Sequence, residues 1–278
     1  MKKRTITALV SLCIMIPVLI FSGTIVFPIA IALCSVIAIF EMVNCVGLKR
    51  AYLVTWPLYL IGALTPFAVR YLADFAEIRR YAWIAAICCI LYFLSILTFQ
   101  SNKYKLSDVS TCFMSVLYIL IGFNAVLILR DNPNGGEYVY LAAFICAWAT
   151  DIFAYICGRL FGKHKLLPEV SPKKTVEGSI GGIIFCILAI MLYGAIINDL
   201  NDGLNANYLV FAAAGFLTSI IAQIGDLSMS VIKRSYGIKD YGKIFPGHGG
   251  MLDRFDSVLA VSTVLLVICS FFRLFEVA

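Results

Sequence analysis

Charge is scarce in this 278-residue chain. Asp, Glu, Lys and Arg together make up 14% of it, against about 25% in a typical soluble domain. Disorder is excluded, because it requires low hydrophobicity. No charged heptad and no glycine period appears, which excludes a coiled coil and a collagen-like helix. Histidine is rarer still, at two residues, and no Cys or His stands at zinc-ligand spacing. Ten cysteines are present (13, 34, 45, 88, 89, 112, 146, 157, 186 and 269) but no CxxC pair. All lie in or beside apolar runs, where Cys behaves as a small hydrophobe, so a disulfide scaffold is not expected. There is no GxxxxGK[ST] loop and no GxGxxG after a strand, which excludes the common nucleotide-binding folds. Apolar residues, in contrast, make up 62% of the chain, with a mean hydropathy of +0.94. One core of this size cannot hide them, and the chain reads as an all-α polytopic membrane protein.

A spanning helix needs about 20 mostly apolar residues. Windows of that length give nine, at 6–22, 24–43, 51–71, 81–99, 109–129, 138–157, 179–198, 207–228 and 252–272. The first two form a hairpin across Ser22-Gly23-Thr24. The opening Met1-Lys2-Lys3-Arg4 resembles a signal peptide, but no Ala-x-Ala-like site follows and the next apolar run begins at once. With the N-terminus inside, the inner segments hold Lys2, Lys3, Arg4, Lys49, Arg50, Lys103, Lys105, Arg159, Lys163, Lys165, Lys173, Lys174, Lys233, Arg234, Lys239, Lys243 and Arg254, 17 of the 22 basic residues. Arg70, Arg79, Arg80, Arg130 and Arg273 fall outside. This bias places the N-terminus in the cytoplasm and the C-terminus outside. The net charge of +6 therefore needs no nucleic acid to explain it. The chain reads as one membrane domain, with 1–108 a scaffold of nearly featureless spans and 109–278 carrying the chemistry.

Charged groups inside a span are costly, so each one calls for a reason. Asp151, Tyr155 and Arg159 share one face of the sixth span at i, i+4 and i+8. In the eighth span, Asp226, Ser230 and Lys233 share a face. Seven residues separate Asp226 from Lys233, too many for an i+4 pair, so the direct partner of Asp226 is expected elsewhere. Asp253 and Asp256 lie in the first turn of the ninth span, beside Arg254. One of them is explained by the positive end of the helix; two beside an Arg exceed what capping requires. Asp226, Asp253 and Asp256, converging without a His or Cys cluster, suit a hard cation such as Mg²⁺. His248 in the loop before them reads more readily as a hydrogen-bonding residue than as a ligand or base. Pro246, Gly247, Gly249 and Gly250 around it allow close backbone approach to a ligand.

A second cytoplasmic stretch, Ser171-Pro172-Lys173-Lys174-Thr175-Val176-Glu177-Gly178, leads into the seventh span. The free N–H groups of that span, with Lys173 and Lys174, make a phosphate site. Lys163 and Lys165 read as topology signals. An acidic metal cluster and a basic phosphate loop at one membrane face point to phosphoryl or nucleotidyl transfer on a membrane-resident substrate.

The blocks Ser230-x-Ile232-Lys233-Arg234, Lys239-Asp240-x-Gly242, Phe245-Pro246-x-His248-Gly249-Gly250-Met251 and Asp253-Arg254-Phe255-Asp256 resemble, in order and spacing, the signature of the phosphatidate cytidylyltransferase family. Ser171-Pro172-Lys173-Lys174-Thr175-x-Glu177-Gly178 and Gln223-x-Gly225-Asp226 resemble further blocks of that family. The resemblance covers roughly 140–272 closely. It implies attack of the lipid phosphate on the α-phosphorus of CTP, giving CDP-diacylglycerol and diphosphate, in a multi-pass protein of the cell membrane. No protein nucleophile is required, in keeping with the absence of a Ser/His/Asp or Cys/His arrangement. It further implies a catalytic set of Asp226, Asp253, Lys233, Arg234, His248 and Asp256. The substrate-binding set is Ser171, Lys173, Lys174, Asp151, Ser230, Lys239, Asp240, Gly249, Gly250 and Arg254. Asp226, Asp253 and Asp256 would hold Mg²⁺, with room for a second cation such as K⁺, and the family is described as a homodimer. A CTP-dependent lipid kinase, a cytidylyltransferase for another lipid phosphate and an ion-coupled transporter are the alternatives. A transporter has no need of the glycine-rich loop or of Lys173-Lys174 outside the bilayer.

Overall fold

The computed structural model describes residues 2–71, 75–99 and 103–277. Met1 lies outside them, as do the side chains of Lys2, Lys3, Arg4, Arg79 and Arg80 that entered the charge count. Among the described residues nine helices follow one another: α1 (Lys2–Ile20), α2 (Val26–Cys45), α3 (Tyr52–Tyr71), α4 (Phe75–Phe99), α5 (Leu106–Arg130), α6 (Gly136–Phe161), α7 (Val176–Leu200), α8 (Tyr208–Ser235) and α9 (Leu252–Phe271). The architecture is all-α and polytopic. Among the described residues seven helices, α2, α3 and α5 to α9, are long and apolar enough to cross a membrane. In α1 and α4 the apolar stretch shortens to Leu9–Ile20 and Ile90–Phe99. Among the described residues, two short two-stranded sheets not expected from the sequence complete the fold. One pairs β1 (Lys165–Leu167) with β2 (Ser171–Thr175), the other β3 (Leu204–Ala206) with β4 (Phe275–Val277).

The chain divides into two compact units. One comprises Met1–Leu127 with Asp240–Asp253; the other comprises Ile128–Lys239 with Arg254–Ala278. In the first unit, Arg70 Nη1 donates to the carbonyls of Ser22 and Thr24 at 3.0 and 3.1 Å, fixing the α1–α2 turn. Helices α2 and α3 approach so closely that a Cβ on Gly62 would stand 2.6 Å from Ile39 Cδ1. Asn124 of α5 donates to Thr65 Oγ1 of α3 at 3.2 Å, satisfying polar groups that lipid cannot.

In the second unit α7 shows why the pattern works. Ile180, Ile184, Leu188, Leu192 and Ile196 recur every fourth residue, and all are exposed, as a lipid-facing stripe should be. The opposite face is small. A Cβ on Gly181 would meet Cys157 Sγ at 2.5 Å, and one on Gly182 would meet the Thr150 carbonyl at 3.0 Å. Close backbone approach of this kind is how helices associate without a hydrophobic drive in lipid. Thr150 Oγ1 donates to Ser219 Oγ at 2.9 Å, tying α6 to α8. Gln223 Nε2 reaches the Ser179 carbonyl at 3.4 Å, tying α8 to α7. Thr175 caps α7 by accepting from Gly178 N at 3.2 Å. The helix therefore begins three residues earlier than the apolar run suggests.

Candidate active site

Each unit carries one group of chemistry-bearing side chains. In the second unit, a cavity of about 600 Å³ opens between α6, α7, α8 and the β1–β2 hairpin. The expected face of α6, with Asp151, Tyr155 and Arg159, lines one wall. The hairpin contributes Ser171, Lys173 and Lys174, and α8 contributes Asp226. Lys165, read from the sequence as a topology signal, also lines the cavity. The hairpin makes this possible: Lys165 pairs in register with Thr175, which places it beside β2. Ser230, Lys233, Arg234, Lys239 and Arg254 do not line this cavity.

The partner of Asp226 is Lys174, whose ammonium is ion-paired to Oδ2, with both side chains about one-quarter exposed. Charged groups within a spanning helix are rare and pair with one another, so pairing here is expected. Asp226 and Asp256 are hydrogen-bonded to each other. Lys233, 8% exposed, is within electrostatic reach of both. Asp151 Oδ2 accepts from Ser257 Oγ at 3.0 Å and feels Asp226, Lys174 and Arg254. α8 positions this cluster by its length. Its 28 residues exceed the roughly 20 that a bilayer requires, which leaves Asp226, Ser230 and Lys233 in the terminal turns. Arg234 Nη1 donates to the Ile238 carbonyl at 3.1 Å and so closes the helix end. Lys239 is exposed beyond it.

In the first unit, residues 240–253 form a tight loop. Asp240 is exposed. Phe245 N donates to the Gly249 carbonyl at 3.0 Å, and His248 N to the Phe245 carbonyl at 2.8 Å. Gly247 and Gly249 have φ of 80° and 87°, values that L side chains rarely adopt. His248 keeps Nδ1 buried without a hydrogen-bond partner among the described residues. Asp253 Oδ2 accepts from Tyr241 N at 2.8 Å and from Gly250 N at 2.9 Å. Asp253 thus anchors the loop backbone through two amides. Among the described residues no three His, Cys, Asp or Glu side chains form a group able to hold a metal ion; the assembled element is the Asp226–Asp256 pair. Two oxygen-only donors, with an ammonium already drawn to one of them, suit a hard cation.

Sequence reading missed Glu41. It is buried near the C-terminal end of α2, at 2% exposed. Its Oε1 accepts from Met251 N and its Oε2 from Leu252 N, both at 2.9 Å. Hydrogen bonds to a charged acceptor contribute about 1.5–3 kcal/mol each, which offsets the burial of this carboxylate. The available signal was a single acid in an otherwise apolar window, Phe40-Glu41-Met42.

A family model described as the cytidylyltransferase family matches residues 2–272. A phosphatidate cytidylyltransferase of Staphylococcus haemolyticus (strain JCSC1435) is 38% identical over 273 residues, covering 96% of this chain and 98% of that protein. Proteins of the same name from Staphylococcus epidermidis (strain ATCC 12228 / FDA PCI 1200) and Staphylococcus aureus (strain COL) are 36% and 34% identical, with the same coverage. The match extends through the N-terminal spans as well as the polar blocks, and the chain belongs to the cytidylyltransferase family.

Proposed function

We propose that the chain transfers the cytidylyl group of CTP to phosphatidate within a cell membrane, through the cavity that Lys174 and Asp226 share. An oxygen of the lipid phosphate bonds to the α-phosphorus of CTP as the bond to the diphosphate oxygen breaks. The products are CDP-diacylglycerol and diphosphate. The lipid phosphate is already an anion near neutral pH, so no strong base is needed, and the barrier is the meeting of two polyanions. Arg159, Lys165, Lys173 and Lys174 put four cationic side chains on the cavity wall. Asp226 and Asp256 are the residues that would hold Mg²⁺. That ion would neutralise charge developing on the phosphates. Lys233 balances the same two carboxylates, and Ser257 fixes Asp151 at the cavity edge.

The observation that carries this reading is the half-buried Lys174–Asp226 pair inside a roomy, cation-lined cavity. The test is diphosphate release from CTP by the purified protein, with the cytidylyl group recovered in lipid. Release that requires phosphatidate is the expected result. Transfer of the γ-phosphoryl group to lipid would indicate a kinase instead. CTP cannot cross the bilayer and phosphatidate cannot leave it without exposing acyl chains at about 0.8 kcal/mol per CH₂. The site is therefore assigned to the cytoplasmic interface, with the N-terminus inside, in keeping with the distribution of basic residues.

A further inference from the structure

We propose that Glu41, in the second helix, is a positioning residue that sets the backbone of loop 241–252 for turnover. The inference rests on the transferase reading above. Glu41 meets both amides at the start of α9, Met251 N and Leu252 N, each at 2.9 Å. These are among the N–H groups that a helix leaves without intrahelical partners, and they form its positive end. A side chain from another helix thus caps the start of α9. Glu41 also faces glycines. A Cβ on Gly242 or Gly250 would collide with its carboxylate.

The four glycines of the loop therefore divide by cause. Gly247 and Gly249 are required by positive φ. Gly242 and Gly250 have no such backbone demand and are required by the closeness of Glu41. Asp253 clamps the same segment from within, through Tyr241 N and Gly250 N. Two carboxylates, 212 residues apart in sequence, hold one short loop by its amides. The loop carries His248 and opens into the helix that bears Asp256 one turn later. A displacement of about 1 Å in such a segment is enough to lower turnover by about 10²-fold.

The experiment compares wild type with Glu41→Ala, Glu41→Gln and Gly250→Ala in detergent or nanodiscs, following CTP:phosphatidate turnover and amide hydrogen exchange. Glu41→Ala should lower kcat by about 10²-fold and leave the KM for CTP within about threefold. Exchange at Met251 and Leu252 should accelerate by at least about tenfold, with the interior of α8 unchanged. Glu41→Gln keeps one acceptor oxygen and should fall between the two. Gly250→Ala should impair wild type more than it impairs the Glu41→Ala protein, because the colliding carboxylate is then absent. Unchanged kcat and unchanged exchange in Glu41→Gln, or equal costs of Gly250→Ala in both backgrounds, would overturn the assignment. Should Glu41→Ala fail to fold, the Gln variant and Gly250→Ala decide it. Lack of turnover in wild type would count against the transferase reading alone, and exchange at Met251 and Leu252 would still decide whether Glu41 holds the loop.

Discussion

Glu41 and Asp226 are both acids set in apolar helices, and their surroundings differ in kind. Glu41 takes two backbone amides and crowds two glycines. Asp226 takes a lysine ammonium and a second carboxyl group, at the wall of a cavity. The first arrangement holds a shape, because its partners are main chain and cannot leave. The second holds charge, and its partners are side chains, which on the proposed reading would exchange for a substrate phosphate or a metal ion. A buried acid can thus serve a membrane enzyme as framework or as reagent, and its partners tell which.

Substitutions can break that contrast at several points. Asp226→Asn removes a charge at which Lys174 and a metal ion would meet, and should lower kcat by about 10³-fold with normal helical circular dichroism. Near-normal turnover at limiting Mg²⁺ would return Asp226 to the framework class. Lys174→Met should cost about 10²-fold in kcat/KM, since it deletes a cation from the cavity and leaves Asp226 without its ion-pair partner. Lys173→Ala, exposed on the same strand, should raise the apparent KM for CTP or phosphatidate by about tenfold, in a salt-dependent manner. Identical kinetics at low and high salt would leave Lys173 a topology residue. Gly181→Val probes packing alone. Its added carbons meet Cys157, so the melting temperature should fall while kcat of the folded fraction changes little. The smallest effect is expected from labelling. A cysteine at Lys243 should react only from the cytoplasmic side and one at Asn201 only from outside, and the reverse would invert the topology.

The second unit was largely legible in sequence. The i, i+4, i+8 face of Asp151, Tyr155 and Arg159, and the Ser171-Pro172-Lys173-Lys174 run, do line one cavity. The seven-residue gap from Asp226 to Lys233 points to an ion-pair partner elsewhere, and only the fold could supply Lys174. Asp253 was harder. Helix spacing puts it beside Asp256, but the bonds that engage it come from a loop folding back over 12 residues. Glu41 was the plainest omission, because its partners are 210 and 211 residues away and are backbone groups with no side-chain pattern. The β1–β2 hairpin was missed for a local reason: it is too short and too polar to show strand alternation.

Exchanging the two charges, Lys174→Asp with Asp226→Lys, tests the central claim most directly. The double variant restores an ion pair of opposite polarity, so a bridge that serves only stability would be rebuilt and activity would return. As a site for anionic substrates and a metal ion, the pair has a required polarity. The double variant should then fold with wild-type helicity and show no phosphatidate-dependent diphosphate release from CTP. Turnover near the wild-type rate in the exchanged protein would contradict the account.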